Sequence, residues 1–226
     1  MAFMVWPFLI AAAISLVIGG ATAVALNWDG IITAWRGKRV AVLGARQVGK
    51  TCMIKILSTG SIPEIYEQTN SAERATGRRF SLKDLDLKID DTLDVPGDKF
   101  HYADWKEVAD RADLVLYLLR ADLLLAGSTQ VEERVRDDMR HIGNWLRARS
   151  RRPQFFVVGT HCDLDPAFAD LTRDKVGDYY DRFRKLPAVA ELVAHCGGAK
   201  HVKFSLGSMV TREVGEALVY DIFRKL

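Results

Sequence analysis

The sequence predicts an α/β fold: a doubly wound, mainly parallel six-stranded sheet preceded by one transmembrane helix. Three observations predict it. Short apolar runs such as Val40-Ala41-Val42-Leu43, Leu114-Val115-Leu116-Tyr117-Leu118-Leu119 and Phe155-Phe156-Val157-Val158 read as strands buried on both faces. Between them lie stretches of helical period, among them a charged amphipathic one over 129–149. From Ala2 to Trp28 there is no charged side chain, a length sufficient to cross a bilayer as a helix. Strands alternating with helices give a parallel sheet covered on both sides.

Size and composition agree. A chain of 226 residues, 49% of them hydrophobic, is ample for one sizeable domain plus a short appendage. The net charge of +3 is modest and spread along the chain, so it gives no nucleic-acid footprint. Cys52, Cys162 and Cys196 form neither a CxxC pair nor a disulfide framework, and they fit a reducing compartment. There are no repeats or low-complexity tracts.

The membrane segment is assigned to residues 3–27 and a juxtamembrane linker to 28–37. A basic start is missing and the apolar stretch is long, which argues for a retained anchor over a cleaved signal peptide. Arg36, Lys38 and Arg39 follow the span and nothing comparable precedes it, so the positive-inside rule leaves the rest in the cytoplasm. Trp28 and Trp35 suit one aromatic belt and Trp6 the other. Ala11, Ser15, Gly19 and Ala23 form a small-residue stripe of the kind that lets another helix approach. The linker is too short to let the domain roam, so the domain is expected at the membrane surface.

The remaining elements belong to one domain, 38–226. After the strand at 40–43, a helix opens near Cys52, and residues 58–70 form a polar loop broken by Gly and Pro. Phe80–Leu82 and Leu85–Ile89 alternate apolar and polar and are expected to pair as an antiparallel edge hairpin. A helix over Ala103–Asp113 buries Trp105, Val108, Ala109 and Ala112. After the strand at 114–119, the helix over 129–149 buries Val131, Val135, Met139, Ile142 and Leu146. The strand at 155–159 is followed by a helical stretch from about Leu171, interrupted at Pro187. A strand over Val202–Ser205 and a helix over 211–226 close the chain.

Chemistry concentrates in Gly44-Ala45-Arg46-Gln47-Val48-Gly49-Lys50-Thr51, a G-x-x-x-x-G-K-[ST] sequence set between a buried strand and a helix. Its glycines let backbone N–H groups turn inward around a phosphate chain, and the helix N-terminus, with Cys52 behind it, adds positive potential. Lys50 reaches the β- and γ-phosphates in such a loop, and the Thr51 hydroxyl ligates Mg²⁺.

From Lys38 to Leu226 the chain resembles a Ras-like or Era-like small GTPase domain. The order of motifs carries the resemblance. Tyr66-Glu67-Gln68-Thr69 looks like switch I, and Asp94-Val95-Pro96-Gly97 matches D-x-x-G. Thr160-His161-Cys162-Asp163 sits where N-K-x-D belongs, and Ser205-Leu206-Gly207 where the S-A-K loop belongs. The resemblance implies GTP and GDP as ligands, with Mg²⁺ held by Thr51, Thr69 and Asp94. Thr69 and the backbone of Gly97 would sense the γ-phosphate, though Thr76 offers a second hydroxyl in the same loop. Asp163 would read the guanine edge, with Thr160, His161, Ser205 and Leu206 around the base. Lys50 and Thr69 would be the catalytic pair.

Three departures bear on turnover. Thr160 and His161 replace Asn and Lys, which removes a loop-bracing amide and the lysine stem that covers the base. Asp98 stands where Ras-like enzymes carry the water-orienting glutamine, and Arg46 is glycine in many relatives. The implied activity is slow hydrolysis of GTP by a membrane-anchored switch, assisted by a protein effector, a membrane partner or a second copy of the chain. The layout, an anchor followed by a G domain, is similar to that of the β subunit of the signal-recognition-particle receptor. Two alternatives stand beside it: a nucleotide-bound structural subunit of a membrane complex, and an ATP-using P-loop protein.

Overall fold

Four parallel strands run side by side in the order in which the chain makes them: β1 (Val40–Gly44), β2 (Leu114–Arg120), β3 (Gln154–Thr160) and β4 (Val202–Leu206). The computed structural model describes residues 37–59, 102–150 and 152–226. Among the described residues the sheet has four strands rather than six. The two others expected, at 80–82 and 85–89, lie outside them, as do the expected span at 3–27 and nearly all of the linker. No helix among the described residues is long and apolar enough to cross a membrane.

The strands read as unbroken apolar runs because both faces of the sheet are covered. Side chains alternate, so Ala41, Leu43, Val115, Tyr117, Leu119, Phe155 and Val157 join one core. Val40, Val42, Leu114, Leu116, Leu118, Phe156 and Val158 join the other. Register pairs Val40 with Leu114 and Gly44 with Leu118, then Leu114 with Gln154, and Phe155 with Val202. The C-terminal ends of the strands thereby come level, and every loop that leaves them starts from one edge.

The helices are α1 (Lys50–Thr59), α2 (Tyr102–Arg111), α3 (Ala121–Leu125), α4 (Thr129–Ala148), α5 (Pro166–Ala169), α6 (Val176–Arg184), α7 (Pro187–His195) and α8 (Arg212–Arg224). Met53, Ile56 and Leu57 of α1 share a core with Leu218, Val219 and Ile222 of α8, whereas α2, α4, α6 and α7 cover the opposite face. Pro187 begins a helix instead of interrupting one: it is the first residue of α7, where a missing N–H costs nothing. The Thr211 hydroxyl accepts from the Val214 amide and caps α8. Cys162 and Cys196 are buried and Cys52 is half-buried, all three as free thiols.

One polar knot ties α2 and β2 to α4. Asp138, fully buried, accepts from the Tyr102 hydroxyl at 2.7 Å, the Tyr117 hydroxyl at 2.8 Å and Arg134 Nε at 2.7 Å. His141 stacks on Tyr102 with ring centroids 3.9 Å apart, and Trp105 meets Tyr102 edge-on at 5.5 Å. Burial pushes the Asp138 carboxyl up, and the three donors oppose it. Removing the acceptor strands the buried Tyr117 hydroxyl and deprives the partly buried Tyr102 hydroxyl and Arg134 guanidinium of their shared partner. Asp138→Ala is therefore expected to cost about 3–5 kcal/mol in urea unfolding, and Tyr117→Phe only about 1 kcal/mol. Equal costs for the two variants would show that the charge is not what the knot serves.

Candidate functional site

The loop between β1 and α1 has the backbone of a phosphate cradle. Gly44 sits at φ 144°, Gln47 at φ 60° and Gly49 at φ 86°, so the chain turns through conformations that direct successive N–H groups to one side. At Gly44 a Cβ would stand 2.3 Å from the Leu118 carbonyl oxygen of β2, closer than any real contact. Glycine is thus required there by approach as well as by φ. The Lys50 side chain is buried and folds back so that Nζ donates to the Ala45 carbonyl at 2.8 Å. An ammonium held over its own loop, at the N-terminus of a ten-residue helix, is a ready counter-charge for phosphate. Arg46 and Gln47 are exposed at the tip. A cavity of about 470 Å³ opens beside it, lined by Ala45, Arg46, Val48, Leu119, Glu133 and Arg134 among others.

Two further loops converge on this one. Thr160, the last residue of β3, is fully buried, with Oγ1 3.0 Å from both the Val48 and the Leu119 carbonyl oxygens. The hydroxyl therefore braces the phosphate loop against β2. The expected loss of bracing on replacing Asn with Thr is corrected: a shorter side chain does the job because the loop passes within its reach. His161 follows at φ 57°, and its Nδ1 is 2.9 Å from Thr160 Oγ1. Burial, then the Arg120 charge, push the His161 pKa below its ordinary value, and Asp122 and Asp163 oppose them.

Asp163 lies in a short 3-10 turn, Cys162–Leu164, exposed and without a hydrogen-bond donor among the described residues. Asp165, two residues on, is fully engaged: it accepts from the Ala167 amide at 3.1 Å, the Tyr179 hydroxyl at 2.9 Å and Arg182 at 2.6 Å. Only the first of these two carboxylates is available to a ligand. Arg120 and Asp122 lie close enough to act on His161 electrostatically; Arg120 Nε donates to Asp122 Oδ1 at 2.7 Å. No sequence motif marks that ion pair, because Arg120 ends β2 and α3 starts at the next residue without an intervening loop.

The third loop follows β4, two residues later than expected. Ser205 and Leu206 are strand residues, both buried. The Ser205 hydroxyl donates to the buried carboxylate of Asp221 in α8, and the Leu206 amide donates to the Tyr180 hydroxyl at 2.9 Å. The strand thus runs through those two residues, and the loop that leaves this edge is Gly207-Ser208-Met209. The Gly207 carbonyl accepts from the Cys162 amide at 3.2 Å and its amide donates to Gly159 at 2.9 Å, which joins the loops after β3 and β4. The Met209 methyl would stand 2.6 Å from a Cβ at Gly49, and His161 Cε1 3.9 Å from it. The Cys52 thiol donates to the Met209 carbonyl at 3.9 Å, so Cys52 supports this loop from below. Leu164, 58% exposed, and Val210, 64% exposed, give the rim an apolar edge.

Gly44, Ala45, Arg46, Gln47, Val48, Gly49, Lys50, Thr51, Cys52, Thr160, His161 and Asp163 are thus brought to one edge of the sheet. Thr69, Asp94 and Gly97 lie outside the described residues. Of the expected Mg²⁺ ligands, Thr51 alone is described, and no group of three or more His, Cys, Asp or Glu among the described residues could hold a metal.

No protein-family model matches the chain, and no curated protein sequence matches it. Solved structures do. An ADP-ribosylation-factor-like GTP-binding protein, the small COPII coat GTPase Sar1 from Encephalitozoon cuniculi in complex with GDP, superposes with a TM-score of 0.52 at 12% identity, covering 87% of this chain and 82% of that one. The structure of the mammalian SRP receptor contains a chain that superposes with a TM-score of 0.51 at 14% identity, covering 83% of this chain and 97% of that one. At such identities the likeness establishes the fold, that of the small GTPases, which agrees with the motif order in the sequence.

Proposed function

We propose that the chain is a membrane-anchored GTP-binding protein that hydrolyses GTP slowly to GDP and phosphate and acts as a nucleotide-dependent switch. The observation that carries this reading is the meeting of three loops at one sheet edge: the Gly44–Thr51 cradle with its buried Lys50, the turn bearing the unengaged Asp163, and the loop at Met209. Ligands bind at that edge in open α/β sheets. The phosphates would lie on the N-terminus of α1 and the base beside Asp163, whose carboxylate accepts from the ring N–H and exocyclic amine that guanine offers and adenine does not. Thr51, Asp94 and Thr69 would hold Mg²⁺, which would supply positive charge to offset that of the phosphates. The uncharged run at 3–27, followed by Arg36, Lys38 and Arg39, would anchor the domain on the cytoplasmic face. Binding of GTP against ATP by the purified chain, with release of phosphate, tests the core of the reading; a preference for ATP would overturn it.

The rate is expected to be low. Catalysis of phosphoryl transfer relies on positioning water and on stabilising charge, and the position that usually orients water holds Asp98. A carboxylate facing the γ-phosphate meets like-charge repulsion. Single-turnover hydrolysis is expected at or below roughly 10⁻⁴–10⁻² s⁻¹, the range of unassisted Ras-like and Gα domains, with acceleration from a protein partner or a second copy. A dilution-independent rate near ~1 s⁻¹, in the range that Ras-like domains reach only when a partner assists, would mean that a catalytic group is present in cis. The same aspartate favours a second reading, a nucleotide-bound structural subunit of a membrane complex, which predicts no turnover even with partners present.

A further inference from the structure

Thr160 Oγ1 has three neighbours and one hydrogen. Two of them, the Val48 and Leu119 carbonyl oxygens at 3.0 Å each, can only accept. The third is His161 Nδ1 at 2.9 Å. If the hydroxyl hydrogen pointed to Nδ1, the hydroxyl oxygen would face two carbonyl oxygens at hydrogen-bond distance with nothing between them, in a fully buried place. The hydrogen therefore serves one of the two carbonyls or is shared between them, and Nδ1 carries a proton of its own and donates it to Oγ1. The backbone supports the arrangement: His161 is held at φ 57°, ψ 28°, which brings its ring back over Thr160 and sets Cε1 against Gly49.

We propose that His161 is a positioning residue of the nucleotide site, a tautomer-locked imidazole whose Nδ1 proton is held by Thr160 so that the ring face covers the purine and Nε2 is left as an acceptor. The proposal rests on the guanine-nucleotide reading above. It assigns to His161 a chemistry opposite to that of a lysine at this place: a stacking surface and an acceptor in place of a flexible stem and a cation. The surroundings keep the ring from gaining a second proton near neutrality. Burial and Arg120 disfavour the imidazolium, against the opposing charges of Asp122 and Asp163. The same hydroxyl links the ring to the phosphate cradle through Val48, so base covering and phosphate loop share one hydrogen-bond chain.

Two measurements on the full-length chain test this. Nitrogen-15 spectra of histidine-labelled protein, with the His161 signals identified by their loss in His161→Phe, are expected to show an Nδ1-protonated, Nε2-free imidazole at pH 7.5, and Thr160→Val is expected to return it toward the Nε2-protonated form. An Nε2-protonated His161 in the wild type overturns the lock. GDP affinity is expected to fall about tenfold or more in His161→Ala, the worth of one base–aromatic stack, and to stay within about threefold in His161→Phe. Wild-type affinity in His161→Ala overturns the covering role. If the wild type binds no guanine nucleotide while the tautomer is as stated, the reading of the site fails and the covering role falls with it, but the Thr160–His161 lock stands.

Discussion

Asp163→Asn is expected to convert the proposed guanine site into a xanthine site. Guanine presents two donors on one edge, the ring N–H and the exocyclic amine, and a carboxylate accepts both. Xanthine keeps the ring N–H and replaces the amine by a carbonyl, which the amide of asparagine can serve with one donor and one acceptor. Each hydrogen bond to a charged group is worth about 1.5–3 kcal/mol. Exchanging one such bond for a repulsive pair is then expected to weaken GTP binding by about 100-fold or more, with a comparable gain for xanthosine triphosphate. The exposed, unengaged Asp163 makes the substitution a clean one, because no internal hydrogen bond is lost with it. Asp165→Asn is the contrast: its carboxylate holds Ala167, Tyr179 and Arg182, so stability falls and base preference stays. Competition between GTP and xanthosine triphosphate measures both, and unchanged GTP affinity in Asp163→Asn would place the base elsewhere.

Gly44→Ala is expected to be the most damaging single methyl in the described residues. The added Cβ meets the Leu118 carbonyl oxygen at 2.3 Å, its carbon at 3.2 Å and Val48 Cγ2 at 2.9 Å. Two of those atoms are backbone of the neighbouring strand, which is held in register with Gly44 itself and cannot step aside. A φ of 144° adds strain for any L side chain. Overpacking and strain together predict a loss of about 3 kcal/mol or more in urea unfolding. A loss under about 1 kcal/mol, the size of an ordinary surface change, would mean that β1 stands farther from β2 at its end.

What the sequence disclosed, and what it withheld, divides along physical lines. The strands were legible because burial on both faces leaves an unbroken apolar run, and α4 because its buried residues recur at helical spacing. The cradle was legible because phosphate binding dictates glycine and lysine at fixed intervals. The end of β4 was not. Ser205 reads as the first polar residue of a loop, yet its hydroxyl is satisfied by Asp221, sixteen residues on in α8. Similarly, the bracing role of Thr160 depends on Val48, 112 residues away. The Asp138 knot joins three elements through partners that no local pattern relates. α3 was missed because its five residues are too few to show a period.

Burial also decides how the thiols react. The thiolate is the nucleophile, and desolvation disfavours it. It pushes Cys196 up to about 12 and Cys162 higher still, and it raises Cys52 against the opposing charge of Lys55. Buried Cys162 and Cys196 are thus shielded from a maleimide near neutral pH, and replacing half-buried Cys52 by serine leaves a quiet background for a reporter. A single cysteine introduced at Ala2 is expected to be labelled by an impermeant reagent from the outer face of intact cells. Labelling only after lysis would reverse the orientation proposed for the anchor, and the same chain without the cysteine at position 2 supplies the background for both signals.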